Sequence, residues 1–467
     1  MKKTILFLLI FLFSVTFAQE KTNSNNALGR LIDYTEKNYP GFDEKSKDKI
    51  LYEHFKNSLL EKSKKISDSA ETLSLLKEYL SFFRDRHIFF LDDSNSLKLM
   101  KTDKIENLKV SKQQLNKISN SKDSLEGIWR NEEFKIGILK IKDSLYKGFV
   151  IASENKGWKA NDVLFTLNTQ KKVQLFSNDL TYFDDTYQLE NPEILRFTKT
   201  RKNFFKDNKN QLTTEILNKK INKLFGLSVE KITPKTTLVK LQNFDYPFVE
   251  RIEKMINDNK DLIESSENLI IDLRDNGGGT TKSMTPILPY IMDGKIRSMN
   301  VEYFVSDFYI SNQERYVKNL PDTDKYNEEK KNILENLIFY KKNMEKYVLA
   351  PNQKPVETEN YEGNAISPKQ VVVLVNKKVA SSGEVLVLLA KQSKKVKILG
   401  TPTSGVLDYA NAMISNYEYD GHSLILPTYR SLRLPDFPID NIGIQPDIYL
   451  DKSVENWVNF AVDYLEN

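Results

Sequence analysis

Apolar positions recur every three or four residues in the first part of the chain, and the period then changes to two. Between Ala27 and Arg86, Leu51, Phe55 and Leu59 recur at fours, and Leu73, Leu76, Leu80 and Phe83 at threes and fours. That spacing lines one face of a helix and predicts a small helical region. It ends near "FFRDRHIFFLD", residues 82–92. Residues 102–123 are rich in Lys, Asn and Ser and read as a connector. From Leu125 the pattern alternates, as in "FKIGILKI", where Phe134, Ile136 and Ile138 fall on one face. "YKGFVIAS", "DVLFTLN" and "KVQLFS" continue in the same style, with Trp129 and Trp158 inside the block. The expected layout is a helical N-terminal region, 19–120, followed by a small, partly closed antiparallel β domain, 121–204.

A polar connector, 205–235, follows. From Thr236 strands and helices alternate: "TTLVKLQNF", then "YPFVERIEKMINDNKDLI", then "NLIIDLRDNGGG" and "VVVLVN". Helix "SGEVLVLLAKQ" and strand "KVKILG" complete the series. This alternation argues for an α/β core with a parallel sheet over 236–467. A segment at 300–366, with a charged helix around Glu328–Tyr347, interrupts it.

The first residues change the picture of location. Lys2 and Lys3 precede an apolar run from Ile5 to Phe13, and Thr16-Phe17-Ala18 precedes Gln19. This is the pattern of a signal peptide, 1–18, cleaved after Ala18. The run is too short for a comfortable membrane span, and no later segment approaches one. A periplasmic or secreted protein without stable membrane insertion is expected. The chain has no cysteine, which removes disulfides, thiolate metal sites, thiol nucleophiles and a cysteine-linked lipid anchor. Its net charge of +5 falls to +3 without Lys2 and Lys3, and both signs are interspersed, so no nucleic-acid partner is expected.

Candidate chemistry begins with "NKKVASSGEVLVLL". Ser381 follows a buried strand and a tight corner and starts an apolar helix. Free backbone N–H groups and the helix dipole there would stabilise an oxyanion. An ordinary Ser N-cap fits the same stretch. In "DLRDNGGG", Asp272 to Gly279, three glycines let the backbone approach a neighbour closely, as half of an oxyanion hole, a plain turn or a phosphate cradle. The Walker and dinucleotide spacings both fail. Of three histidines, His54 lies in a helical pattern and His422 in the hairpin turn "YDGHS". His87, beside Asp85 and Arg86, is the best placed for general base work. Scattered histidines argue against a multi-histidine metal site, and no metal or cofactor is expected. Asp440, in "PIDNIGIQPDIYL", sits where it could orient a base or serve only as a turn residue.

In this order the pieces resemble the serine peptidase family of the C-terminal (tail-specific) processing proteases, the tricorn core protease and the interphotoreceptor retinoid-binding protein modules. The residues that carry the resemblance are "LIIDLRDNGGG", "VVVLVNKKVASSGEVLVLLA", "KILGTPTSG" and "DNIGIQPDIYL", with "FFRDRHIFF" resembling the family's Asp-x-His element. The resemblance implies a crotonase-like core of ββα spirals. It implies Ser381 as nucleophile, three residues before Glu384, with the Ser382 N–H and that of Gly277 or Gly278 forming the oxyanion hole. The processing proteases take their base from a lysine whose position here is Val406. The tricorn-like branch takes it from a histidine, here His87, with an acidic residue at Asp440, where Asp replaces the usual Glu. No PDZ-type carboxylate-binding loop is found in 121–204. The implied activity is that of a secreted or periplasmic endopeptidase cleaving peptide or protein substrates through an acyl-enzyme. The alternatives are a catalytically inactive binding protein on the same fold, and an ester or other acyl hydrolase.

Overall fold

A computed structural model describes residues 24–92, 99–209, 211–321, 323–361 and 368–467. The expected signal peptide, 1–18, lies outside the described residues. Among the described residues, no helix is long and apolar enough to cross a membrane.

The N-terminal helices are Ser24–Asn38, Phe42–Lys45, Lys49–Ser63 and Ser69–Ser81. Their inward face carries Leu28, Leu31, Tyr52, Leu59, Leu76 and Tyr79, all fully or nearly fully buried. Leu51 departs from the expected stripe and is 56% exposed, because Tyr52 takes the inward position one residue on. The helices do not close a core of their own. They share it with Phe308, Tyr409, Tyr417, Leu424 and Leu426 from the far end of the chain. The strand Phe89–Asp92 continues this union by pairing antiparallel with His422–Leu426.

The β domain is closed rather than partly closed. Strands from Gly127–Arg130 to Asn203–Lys206 form one antiparallel sheet, and Ile194–Phe197 pairs with both Asn203–Lys206 and Thr181–Glu190. Eight strands so joined make a barrel whose interior is filled by Trp129, Phe165, Phe197 and Phe204. Its borders differ from the expected ones. The strand Leu99–Lys101 adds to the barrel at Thr181–Glu190, and helix Lys112–Ser119 covers it through Ile118. Residues 99–120 therefore pack with the barrel, not with the helical region.

The connector 205–235 contains helix Thr214–Leu224 and the strand Leu227–Lys231, which opens the core sheet by pairing antiparallel with Thr236–Leu241. The sheet continues in parallel through Asn268–Asp272, Gln370–Val375, Val396–Gly400 and Ile448–Tyr449, in chain order. Both faces are covered, so its strands read as continuous apolar runs. Leu269, Ile271, Val371 and Val373 face the larger core, while Ile270, Val372 and Leu374 face the helix Trp457–Glu466. The interrupting segment is bracketed by the paired strands Lys295–Met299 and Val356–Asn360 and carries helices Asp307–Asn319 and Asp324–Lys341.

Candidate active site

Parallel register brings three loops to one edge of the sheet. Asp272 pairs with Leu374, and Val375 with Gly400, so the loops that follow these strands leave side by side. Asn276 fastens the first loop. Its Nδ2 donates to the Leu241 carbonyl at 2.6 Å, its Oδ1 accepts from the Gly278 N–H at 2.9 Å, and its own carbonyl accepts from the Ala380 N–H at 3.0 Å. Asp275 and Asn376 exchange two further hydrogen bonds between the first and second loops.

Ser381 stands at the head of helix Ser382–Ala390 with φ 50° and ψ −120°. An ordinary N-cap has extended backbone. A non-glycine residue in this region is strained by about 1–3 kcal/mol and persists only where its surroundings enforce it. The sharp strand-to-helix turn is the arrangement that exposes a nucleophilic serine. Glu384 enforces it. This carboxylate is fully buried, and Oε2 accepts from the N–H groups of Ser381 (3.1 Å) and Val406 (2.9 Å). Oε1 accepts from the Thr403 hydroxyl (2.5 Å) and the Gly405 N–H (2.8 Å). One side chain thus ties the serine's backbone to the third loop. Sequence reading used Glu384 only as a landmark, although Ser-x-x-Glu before an apolar helix is a capping-box spacing.

The donors around Ser381 differ in availability. The Gly278 N–H is committed to Asn276. Those of Gly277 and Ser382 donate no hydrogen bond among the described residues. Gly278 has φ +96°, and a Cβ there would lie 2.8 Å from the Ala380 carbonyl oxygen and from the Ser381 Cβ, so the glycine is what lets the two loops touch.

His87 arrives from the N-terminal region. The Asn441 side chain donates to the Arg84 carbonyl at 2.8 Å, and the Arg86 guanidinium donates to the Ser404 hydroxyl. Ser404 in turn donates its N–H to the Val379 carbonyl, two residues before Ser381, at 2.8 Å. Asp85 accepts the His87 N–H at 2.8 Å, and its Oδ1 lies 3.9 Å from His87 Nδ1, which is buried and has no hydrogen-bond partner. Burial pushes the imidazole below its ordinary value, opposed by the Tyr409 backbone and by the charges of Asp440 and Glu384. The ring is therefore mainly neutral at pH 7, as a proton acceptor must be. His54 is exposed on its helix, and His422 sits in the hairpin with Nδ1 2.8 Å from the Asp420 carbonyl.

Residues 235–450, which include the whole Ser381 corner, match the model of peptidase family S41. The match covers a little under half of the chain, and over it the chain is similar to the serine-type peptidases of family S41. The fold is also similar to several solved structures. The one described as mature CPAF is 11% identical, covers 96% of each chain and has a TM-score of 0.48. The photosystem II D1 C-terminal processing protease is 14% identical over 92% of this chain and 94% of that one, with a TM-score of 0.36. The tricorn protease is 12% identical over 96% of this chain and 37% of that one, with a TM-score of 0.41. No curated protein matches the sequence significantly.

His87 lies outside the matched S41 stretch, whereas Asp440 lies inside it. Asp440 Oδ1 accepts from the N–H groups of Leu407 and Asp408, each at 2.8 Å. Among the described residues, Asp85 is the only carboxylate within 4.0 Å of a His87 ring nitrogen, so Asp440 acts on the ring by charge rather than by direct contact. Val406, whose N–H the Glu384 carboxylate accepts, is buried and apolar.

Burial and the neighbouring Asp85 charge push Asp440 up to about 6. An unfolded Asp titrates near ~3.9, so folding favours the protonated form, and stability falls as pH rises from about 4 through about 6. Above that window the ionised group costs about 2–3 kcal/mol, since one pH unit is worth about 1.4 kcal/mol. Asp440→Asn keeps an oxygen for Leu407 and Asp408. It is expected to stabilise the S41 domain by about 1–3 kcal/mol at pH 7, with the gain shrinking towards pH 4. Urea unfolding at both pH values measures this, and equal stabilities at pH 7 would contradict the assignment.

Proposed function

We propose that this S41 domain is an active endopeptidase in which Ser381 attacks the peptide carbonyl. The observation that carries the reading is the strained backbone of Ser381 at a corner flanked by two uncommitted N–H groups. His87 takes the serine proton and returns it to the leaving amine. The N–H groups of Gly277 and Ser382 hold the oxyanion, with Gly277 favoured over Gly278 because the latter already serves Asn276. The acyl-enzyme is then hydrolysed by water, with His87 as base. Asp440 and Asp85 supply the negative charge behind the ring. In this reading the core follows the ββα spiral that the sequence resemblance implies, and the 1–18 segment directs the protein to the periplasm or beyond. The same oxyanion donors would also serve an ester.

The test is a fluorophosphonate probe applied to the folded protein, with the labelled peptide mapped by mass spectrometry. A single adduct is expected on Ser381 and none on Ser382, whose buried Oγ has no proton acceptor in reach. A folded protein that takes no label at any serine would overturn the reading in favour of a non-catalytic binding protein.

A further inference from the structure

Behind His87 lies a buried cluster of three carboxylates. Asp408 is fully compensated: Arg433 donates to its Oδ1 at 3.2 Å, and the N–H groups of Ile439 and Asp440 donate to its Oδ2, each at 2.8 Å. Asp85 receives the Tyr39 hydroxyl at 2.9 Å and the His87 N–H. Asp440 receives two backbone N–H groups through Oδ1. Among the described residues, the ammonium of Lys45 is the cation that reaches its Oδ2, at 3.8 Å. Lys45 belongs to the N-terminal region, 395 positions earlier in the chain (440 − 45). Its side chain is only 20% exposed, and its ammonium sits 5.2 Å from the centroid of the Tyr409 ring. Tyr409 is the residue whose backbone acts on His87. The Tyr409 ring and Asp440 therefore flank the ammonium, and its charge also reaches Asp85.

We propose that Lys45 is a positioning residue for the S41 reaction, its ammonium holding the Asp440 carboxylate as an anion behind His87. The proposal rests on the peptidase reading above. Asp440 faces Asp85, Asp408 and Lys45, and Asp85 faces Tyr39, Lys45, Asp408 and the His87 backbone. Burial raises both Asp85 and Asp440 to about 6, and on Asp85 the His87 N–H, the Tyr39 hydroxyl and the Lys45 charge oppose it. An opposite charge at this range lowers a carboxyl by about 1–3 pH units in general. Without it the pair takes up a proton near neutral pH, and the field that favours the imidazolium of the transition state is lost. The N-terminal region then supplies the base, one carboxylate and the cation, so the reaction centre spans two parts of the chain far apart in sequence.

The experiment compares the wild-type protein with Lys45→Met and Lys45→Arg. The rate of fluorophosphonate labelling at Ser381 is followed from pH 5 to 8. The three histidines are followed in parallel by NMR, His87 being assigned from a His87→Gln sample. The acidic limb of the labelling profile is expected to move up by about one pH unit in Lys45→Met, a roughly fivefold loss of rate at pH 6, and to return in Lys45→Arg. The carboxylate inflection sensed by the His87 resonances is expected to move with it. An inflection that stays in place in Lys45→Met overturns the role of Lys45. A wild-type protein that takes no label at all overturns the peptidase reading instead. Should Lys45→Met fail to fold, Lys45→Gln, which keeps a polar tip without charge, gives the same comparison.

Discussion

Ser381→Ala, His87→Ala and the double variant are expected to lose the same activity, about 10⁴–10⁶-fold in kcat for cleavage of an unfolded protein such as casein. Without the hydroxyl there is no nucleophile. Without the imidazole, in the proposed mechanism, the hydroxyl keeps its proton at neutral pH. The two groups act as one unit, so removing the second after the first should cost little more. The residue left after either loss is the oxyanion donors and substrate binding. His87 is held by the Asp85 turn and by Asn441 and Ser404 contacts to its neighbours, so His87→Ala should remain folded. If His87→Ala kept activity within tenfold of wild type, the base would have to lie elsewhere. Losses that multiplied in the double variant would show that the two residues do not work together.

Glu384→Ala is expected to be the most destabilising single change in the site, by about 3–5 kcal/mol. The carboxylate accepts four hydrogen bonds, from Ser381, Thr403, Gly405 and Val406, and is fully buried. Removing it leaves four buried donors without an acceptor, each worth about 1–3 kcal/mol when stranded, less whatever entering water recovers. It also frees the strained Ser381 backbone, at φ 50°, from its bond to Glu384. The folded fraction should therefore label at Ser381 at least about tenfold more slowly, since a displaced nucleophile loses its near-attack geometry. Glu384→Gln is not a gentle substitute, because its amide places N–H groups against two of the same donors. It is expected to lose about 2–4 kcal/mol. Urea midpoints and labelling rates on the folded proteins measure both. A Glu384→Ala protein within 1 kcal/mol of wild type would show that water replaces the carboxylate, and the tether account would fall.

Local pattern was a good guide wherever the chain interacts with its near neighbours. The helices from Ser24 to Ser81 and the parallel strands at 268–272, 370–375 and 396–400 follow from spacing and continuous apolarity. The corner before Ser382 was legible because strand, turn and helix are adjacent in sequence. His87 stands out by its neighbours and by a resemblance, since nothing local relates a histidine to a serine 294 positions later (381 − 87). Glu384 serves the sequence reading only as a landmark; its capping spacing is a signal there, but its hold on residues 403–406 is not legible locally.

By itself, the sequence determined the element types, the absence of cysteine chemistry and the serine corner, because these depend on side-chain periodicity and on bonds made within a few residues. Only the tertiary structure decided which groups meet. Closing the barrel required Ile194–Phe197 to bond on both sides, and Leu227–Lys231 became a strand only because Thr236–Leu241 offered it an edge. The aromatic core that joins Tyr39 and Phe83 to Tyr409 and Tyr417 sets the N-terminal region against the sheet, and with it His87, Asp85 and Lys45. Burial then fixed the charge states, raising Asp85 and Asp440 and lowering His87. Desolvation depends on everything packed around a group, and that surrounding is assembled from segments hundreds of residues apart, which no local pattern encodes.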